Sequence, residues 1–302
     1  MYPRDLKGHG RTPPHAAWPN NAKLAVQFVI NYEEGGEYSV LHGDRHSESA
    51  LTEEPSSPLY NIRNINVETQ FDYGPRAGWW RLYRMFTERK LPVTIFGIAK
   101  SLEKNPEAVA AMKEANFEIA SHGLRWIHYG EMPEEQERQH IAEAMRIHHE
   151  VTGERPTGWY TGRMSPNTRR LLVAAGGFTY DSDSFGDDLP YWTEVDGKNH
   201  LVVPYTLDNN DARYVSSYGY NSLSFSSYLI QAFEFLRREG NDRPKMMSIG
   251  LHTRLVGRPG RAADLEKFLD HVMAASDVWV TRRIDIANHW TKHHPPIQSA
   301  TI

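Results

Sequence analysis

The sequence predicts a single α/β domain over residues 1–302, a distorted (β/α) barrel of about seven strands. The length supports this, because 302 residues that are 39% hydrophobic and 24% charged can bury one full core. Strand-like and helix-like segments alternate along the chain without a linker typical of a domain boundary. Polar clusters follow the strand-like segments, as they do where loops after barrel strands form a site. Together these observations favour one barrel over two smaller domains.

Eight short runs rich in β-branched and aromatic residues predict the strands. The first is an apolar run that ends directly before a pair of acids, which is typical of a buried central strand. The predicted strands cover residues 24–30, 93–98, 117–120, 158–160, 178–180, 201–205, 246–251 and 278–280. Most intervals between them are long enough for a crossover helix, as parallel strands require.

Helical signals fill most of these intervals. In 77–89, Trp79, Leu82 and Phe86 recur at helical spacing and predict one buried face. Capping side chains before prolines predict that helices begin at 106 and 166, since the first turn does not use the N–H that proline lacks. Two further helices are predicted at 134–151 and 224–238, and a glycine follows each of them.

Two long segments interrupt the alternation, 37–66 and 187–221, and we predict that both are loop insertions. Loops of this length within a single domain are usually functional or disordered. We expect them to form the rim of the site, to contact a neighbouring subunit, or to do both. The tail from His293 onward is polar and is predicted to fray.

Charge and composition narrow the class of partner. The chain has 34 Lys and Arg against 38 Asp and Glu, and no basic stripe interleaved with aromatics, so nucleic acid is not an expected partner. No apolar run approaches the roughly 20 residues of a membrane span and no signal-peptide pattern is present, so we predict a cytoplasmic protein without a membrane partner. The absence of cysteine excludes disulfides, thiolate metal sites and a cysteine nucleophile.

Polar clusters follow five of the predicted strands. The adjacent carboxylates of Glu33 and Glu34 end the first strand and two glycines come next, so we expect chemistry at this strand end. The other clusters are 121–126, 160–163, 181–183 and 251–253. Because the carboxyl ends of parallel strands lie on one side of a barrel, the five clusters predict a single site.

The order of these clusters resembles the polysaccharide deacetylase family, carbohydrate esterase family four. The shared order is an acid pair and glycine, a Ser-His at 121–122, an arginine, an Asp-x-Asp, and a Leu-His at 251–252, and it extends over residues 24–290. The resemblance implies the barrel fold of that family. It also implies that the first acid is the base, that the second binds a divalent metal, and that two histidines four residues apart complete the metal site.

The chain departs from that pattern at the metal site. Glu33 and Glu34 replace a pair of aspartates, and the position four after His122 is Trp126. Tryptophan has an N–H donor and no lone pair for a cation, so one imidazole ligand is missing. His128 would restore a ligand if its loop folded back.

Longer strings are similar to a metal-independent allantoinase branch of the same family. They are Asn-Tyr-Glu-Glu-Gly-Gly-Glu at 31–37, Ser-His-Gly-x-Arg-Trp-Ile at 121–127, Gly-Trp-Tyr-Thr-Gly-Arg at 158–163 and Ser-Ile-Gly-Leu-His at 248–252. The branch implies a hydrolase that opens the hydantoin ring of allantoin, a small ureide, to allantoate in purine catabolism. It further implies a homotetramer and no cofactor.

The catalytic candidates are Glu33, Glu34 and His252. Two adjacent carboxylates repel, so one of them can hold a raised pKa and exchange protons as a general base. By the resemblance, Glu33 has the position of the base and Glu34 that of the metal-binding acid. Both remain candidates because alternation along a strand sends them to opposite faces. His252 has the family's position for protonating the leaving nitrogen.

Three aromatic or basic residues are candidates for contact with the substrate. His122 can orient the substrate through hydrogen bonds. Trp126 either fills space or donates its indole N–H to a substrate carbonyl. Arg163 matches the arginine that holds the family's catalytic acid, or binds a ureido oxygen directly.

Asp181, Asp183 and Arg76 complete the predicted site. Asp181 and Asp183 alternate along a strand, so one of them is expected to orient His252 while the other faces away. Arg76 either caps a helix or reaches the pocket, where a small polar ureide needs donors. The basic group of Arg254, Arg258 and Arg261 is predicted to be solvated surface, with binding of an anion as the alternative.

Other functions stay open at this stage. A metal-dependent deacetylase of N-acetylated sugars would need His128 or another residue as the missing ligand. A non-catalytic ureide or sugar binding protein is a second alternative. Within the favoured class, another cyclic ureide or an imide can be the substrate.

Overall fold

A sheet of nine strands organises residues 4–53, 57–215 and 224–296, the parts of the chain that the computed structural model describes. Its strands are β1 (Leu24–Tyr32), β2 (Val93–Gly97), β3 (Glu118–Ser121), β4 (Gly158–Trp159), β5 (Tyr180–Asp181), β6 (Tyr191–Val195), β7 (Lys198–Val202), β8 (Lys245–His252) and β9 (Val278–Val280).

The order of the strands is β6-β7-β5-β4-β3-β2-β1-β8, and β9 pairs with the first residues of β1. The seven strands from β7 to β8 are parallel, and β6 is antiparallel on the edge. A single bridge from Asn210 to Gly250 links the segment after β7 to β8. The predicted α/β barrel is therefore confirmed, and it is an open half-barrel.

Nine helices surround this sheet in the described residues: α1 (Ile65–Tyr73), α2 (Trp79–Glu88), α3 (Ala99–Lys104), α4 (Pro106–Glu114), α5 (Glu134–Thr152), α6 (Thr168–Ala175), α7 (Phe225–Glu239), α8 (Pro259–Met273) and α9 (Arg283–His293). A π-helical turn, Gly74–Gly78, joins α1 to α2. None of the helices described is long and apolar enough to cross a membrane.

Several predicted boundaries differ from the structure. The segment 187–221, predicted as a loop insertion with one strand at 201–205, contains the hairpin of β6 and β7, and its last residues, 216–221, lie outside the described part of the chain. Helix α6 begins at Thr168 and not at 166, because the hydroxyls of Ser165 and Thr168 donate to the buried carboxylate of Glu137 and fix a turn before the helix. The segment 37–66 contains a short 3-10 turn, Val40–His42, and the start of α1.

Strand β1 is buried on both faces, and its alternation sets the geometry of the site. The even-numbered residues 24–32 pack in the main apolar cluster with α2 and α8. The odd-numbered residues face the barrel interior, where Gln27 binds Arg283, Val29 packs with interior aromatic rings, and Asn31 donates to the Tyr205 hydroxyl at 2.9 Å. A residue that continues the odd series therefore enters the interior at the carboxyl end of the sheet.

Candidate active site

Glu33 is the next residue in the inward-facing series of β1, and it is the centre of a buried polar cluster. Its side chain is almost inaccessible to solvent. Oε1 lies 3.2 Å from His122 Nε2 and 3.5 Å from His252 Nε2. Oε2 accepts from Arg254 Nη1 at 2.9 Å. Burial alone would raise the pKa of Glu33, but His252 and Arg254 lower it well below its ordinary value, so the carboxylate is ionised.

His252 ends β8 beside Glu33 and is oriented by Asp211. His252 Nδ1 lies 2.6 Å from Asp211 Oδ1, and the backbone N–H of His252 donates to Oδ2 at 2.7 Å. Burial opposes protonation of the imidazole, but Glu33 and Asp211 raise its pKa to about 9. Near neutral pH the ring is therefore an imidazolium with a proton on Nε2, as a general acid requires.

Sequence reasoning missed Asp211 and assigned its role to Asp181 or Asp183, which is wrong. Asp181 is 2.9 Å from His200 Nε2 and forms an ion pair with Arg169, which lower its pKa to about 2 against the effect of burial. Asp183 accepts from the backbone N–H groups of 161 and 162. Asp211 follows Asn209 and Asn210, but β7 ends at Val202, so this polar cluster does not directly follow a strand as the other clusters do.

His122 approaches Glu33 from the end of β3. Its Nδ1 lies 3.1 Å from the carbonyl oxygen of Tyr160. Its Nε2 faces the Glu33 carboxylate. The ring packs against Tyr160 at 4.9 Å between centroids, and this contact fixes its orientation.

Glu34 faces away from the imidazoles, as the alternation of β1 requires. Its Oε1 accepts from the Thr253 hydroxyl and from the backbone N–H of Arg254, the latter at 3.2 Å. Gly74 of the π-helical turn lies against the carboxyl group so closely that a Cβ there would be 2.4 Å from it. Of the two acids, Glu33 is the one that contacts both imidazoles.

Three comparisons show which known proteins this chain is similar to. The family model for polysaccharide deacetylase matches residues 63–179. A Schizosaccharomyces pombe protein, named as a candidate polysaccharide deacetylase, is 42% identical over 97% of this chain and 98% of its own length. The chain belongs to the polysaccharide deacetylase family. The family prediction made from the cluster order is thus confirmed.

Two crystal structures are similar to this family member over almost its full length. One is a candidate polysaccharide deacetylase from Pseudomonas aeruginosa PAO1, 52% identical with a TM-score of 0.95, covering 98% of this chain and 100% of its own. The other is PuuE allantoinase, 51% identical with a TM-score of 0.96 and the same coverage. The half-barrel fold is therefore that of the family.

The residues of this deacetylase-family protein do not fit the divalent metal that the resemblance implies. Glu34, at the position of the metal-binding acid, is bound by Thr253 and Arg254. Trp126 stands in place of the second histidine. Within the described residues, no three His, Cys, Asp or Glu side chains are arranged to hold a metal ion. His128 is exposed and stacks on Tyr38, so the structure gives no support to its role as a ligand.

Arg163 does not hold Glu33, contrary to the prediction. Its Nη1 donates to Glu48 Oε2 at 3.0 Å, and its guanidinium lies 3.6 Å above the Trp126 ring. Trp126 is buried, and its backbone N–H donates to the carbonyl of Gly36. The loop 37–66 therefore supplies the partner of Arg163, and a salt bridge across so long a separation has no signal in the sequence.

Arg254 has the contact that was predicted for Arg163. It was predicted as solvated surface, but it is only 2% exposed because the chain turns inward directly after β8. Arg76, in contrast, is exposed on the π-helical turn and is not part of the buried cluster. The structure thus brings together Glu33, His122, His252, Arg254 and Asp211.

Proposed function

We propose that this protein is an allantoinase-like cyclic amidohydrolase, which opens the hydantoin ring of allantoin to allantoate without a metal cofactor. The observation that carries the proposal is the Glu33 carboxylate, shared by two imidazoles and a guanidinium. The 51% identity to PuuE allantoinase over 98% of this chain supports the choice of substrate.

Glu33 and His252 act as a coupled base and acid in this proposal. Glu33 takes a proton from water as the water oxygen attacks the ring carbonyl carbon. The C–N bond then breaks, and His252 Nε2 gives its proton to the leaving nitrogen. Loss of the imidazolium charge removes the strongest interaction that lowers the pKa of Glu33, so the two proton transfers assist each other.

The same geometry resets the site after each turnover. Protonated Glu33 can return its proton to neutral His252, because Oε1 and Nε2 are 3.5 Å apart. Asp211 keeps the imidazole in the orientation that this transfer needs. No covalent intermediate is required. His122 and the Trp126–Arg163 pair remain the proposed contacts to the ureide.

A metal-dependent N-deacetylase is the second candidate, favoured by the names of the S. pombe and P. aeruginosa relatives. The deciding experiment measures hydrolysis of racemic allantoin and of N-acetylated sugars by purified protein, before and after chelation, with metal content determined on the same sample. Allantoin turnover by metal-free protein supports the proposal. Turnover of acetylated sugars that is lost on chelation supports the deacetylase.

The proposal also covers the compartment, the assembly and the pathway of the enzyme. We propose a cytoplasmic homotetramer that acts in purine catabolism, on the basis of the resemblance to the allantoinase branch. Sedimentation velocity of the purified protein tests the assembly: a single species of four chains is expected, and a monomer contradicts it.

A further inference from the structure

We propose that Arg254 is a positioning residue that supplies the fixed positive charge of the active site, where the family resemblance implies a metal ion. The inference rests on the proposed function in that Glu33 is taken as the base. It concerns a residue two positions beyond the strand end, which the cluster pattern does not include.

The guanidinium of Arg254 lies between the two carboxylates. Nη1 is 2.9 Å from Glu33 Oε2 and 3.4 Å from Glu34 Oε1. One cation therefore binds both the inward-facing and the outward-facing acid. Two adjacent buried carboxylates repel each other, so a single positive charge between them offsets that repulsion and favours the ionised form of Glu33.

Aromatic rings enclose the other side of the guanidinium. The guanidinium carbon Cζ lies 4.3 Å from the centre of the Phe71 ring and 5.1 Å from that of Trp126. Nη2 is buried and has no hydrogen-bond partner among the described residues. The ring faces attract the cation without competing for the carboxylates. Trp126, which lacks a lone pair for a metal, is suited to face an organic cation.

The position of Arg254 is fixed by the backbone as well as by its side chain. Its N–H donates to Glu34 Oε1, and its Nε lies 3.4 Å from the carbonyl oxygen of Leu51. The charge is thus held in place before substrate binds, and no reorganisation is needed during reaction. A metal ion could not occupy the same space while the guanidinium is present.

The test compares Arg254→Met and Arg254→Ala with a control, Arg258→Met. Arg258 lies on the same segment but stacks on Tyr73, 3.7 Å from its ring, and has no part in the acid pair. In Arg254→Met, turnover of allantoin is expected to fall at least about 100-fold. The acidic limb of kcat/KM should move up by about one pH unit or more, because Glu33 loses a neighbouring cation. Arg258→Met should keep both values.

Arg254→Ala supplies a readout that does not depend on activity. Its cavity should bind methylguanidinium, measured by calorimetry, whereas the wild type and Arg258→Met should not. Methylguanidinium should also restore part of the lost turnover, and sodium chloride at the same ionic strength should not. If wild-type protein does not hydrolyse allantoin, the proposed function fails, while the calorimetry still decides the role of Arg254.

A double variant, Arg254→Met with Glu34→Gln, removes one buried charge of each sign and keeps the test possible if the single variants do not fold. Its acidic limb should lie above that of Glu34→Gln alone. The proposal is overturned if these two variants have the same acidic limb, if Arg254→Met keeps wild-type turnover and pH dependence, or if folded Arg254→Ala fails to bind methylguanidinium.

Discussion

Arg283 and Arg254 are both fully buried, yet their surroundings differ in kind. Arg283 lies within the barrel, where it donates to the side chains of Gln27, Ser182 and Ser248 and to the carbonyl of Pro204. These acceptors are all neutral, and burial lowers the pKa of Arg283. Arg254 faces two carboxylates, which raise its pKa against the effect of burial.

The difference between neutral and charged acceptors indicates a structural role for Arg283 and a functional role for Arg254. The neutral dipoles around Arg283 satisfy its hydrogen bonds and link β1, β8 and the residue that follows β5 within the open barrel. Arg254 instead contacts two carboxylates, and it lowers the pKa of Glu33 next to the His252 imidazolium. Arg283 is therefore expected to affect folding, and Arg254 to affect the proton chemistry of Glu33.

The largest loss of turnover is expected from Glu33→Gln, which changes one of the two carboxylates that Arg254 contacts. The amide keeps the shape of the side chain but cannot accept the proton of water, so turnover of allantoin should fall by about 10²–10⁴-fold. Glu34→Gln is the matched control and should cost less than about 10-fold. Steady-state kinetics of folded variants, checked by circular dichroism, measures both. Equal losses in the two variants would contradict the assignment of Glu33 as the base.

Arg283→Met should act on stability. It leaves several buried acceptors without a donor, so the free energy of unfolding should fall by about 3–5 kcal/mol. Urea unfolding measures this change, and the turnover of the folded fraction should stay close to that of the wild type. A folded Arg283→Met that has lost turnover would remove the distinction between the two arginines.

Asp211→Asn tests the partner of His252. The amide oxygen can still accept from Nδ1, but the negative charge is gone, so the pKa of His252 should fall from about 9 toward its ordinary value. The basic limb of kcat/KM should move to lower pH, with a loss at pH 8 of about 10-fold or more. An unchanged basic limb would show that another group titrates there.

Among the variants near the site, a small effect on turnover is expected from the pair Arg163→Met and Glu48→Gln. The double variant removes a salt bridge in the rim without leaving one charge unpaired. Because neither side chain contacts Glu33, kcat should change by less than about 10-fold, and any loss should appear in KM. A large loss in kcat with unchanged KM would contradict this and would give Arg163 a direct part in catalysis.

The sequence predicts the strands well where a buried strand leaves a clear hydrophobic pattern. Alternation along β1 explains why Glu33 and not Glu34 enters the interior, although the sequence alone left both acids open. Strand β7 overlaps the strand predicted at 201–205, whereas β6 was missed because it is a half-buried edge strand, in which burial does not impose a pattern. The order of the strands along the chain therefore predicts which polar clusters lie together at the carboxyl edge of the sheet.

Asp211 and Arg254 could not be predicted because their roles depend on tertiary contacts. Asp211 is 41 residues from His252, in a short 3-10 turn within a predicted loop. Arg254 occurs in a basic stretch that is typical of solvated surface, and only the inward turn after β8 buries it. The same turn gives it the contact that family position had assigned to Arg163.

The pH dependence of kcat/KM for allantoin hydrolysis by chelator-treated wild-type protein tests the ionised pair of Glu33 and His252 most directly. This quantity reports the ionisation of the free enzyme. The acidic limb should lie well below pH 4.5, since His252 and Arg254 lower the pKa of Glu33, and the basic limb should lie near pH 9, where His252 loses its proton. A basic limb near pH 6.5, or activity that disappears with the metal, would contradict the account.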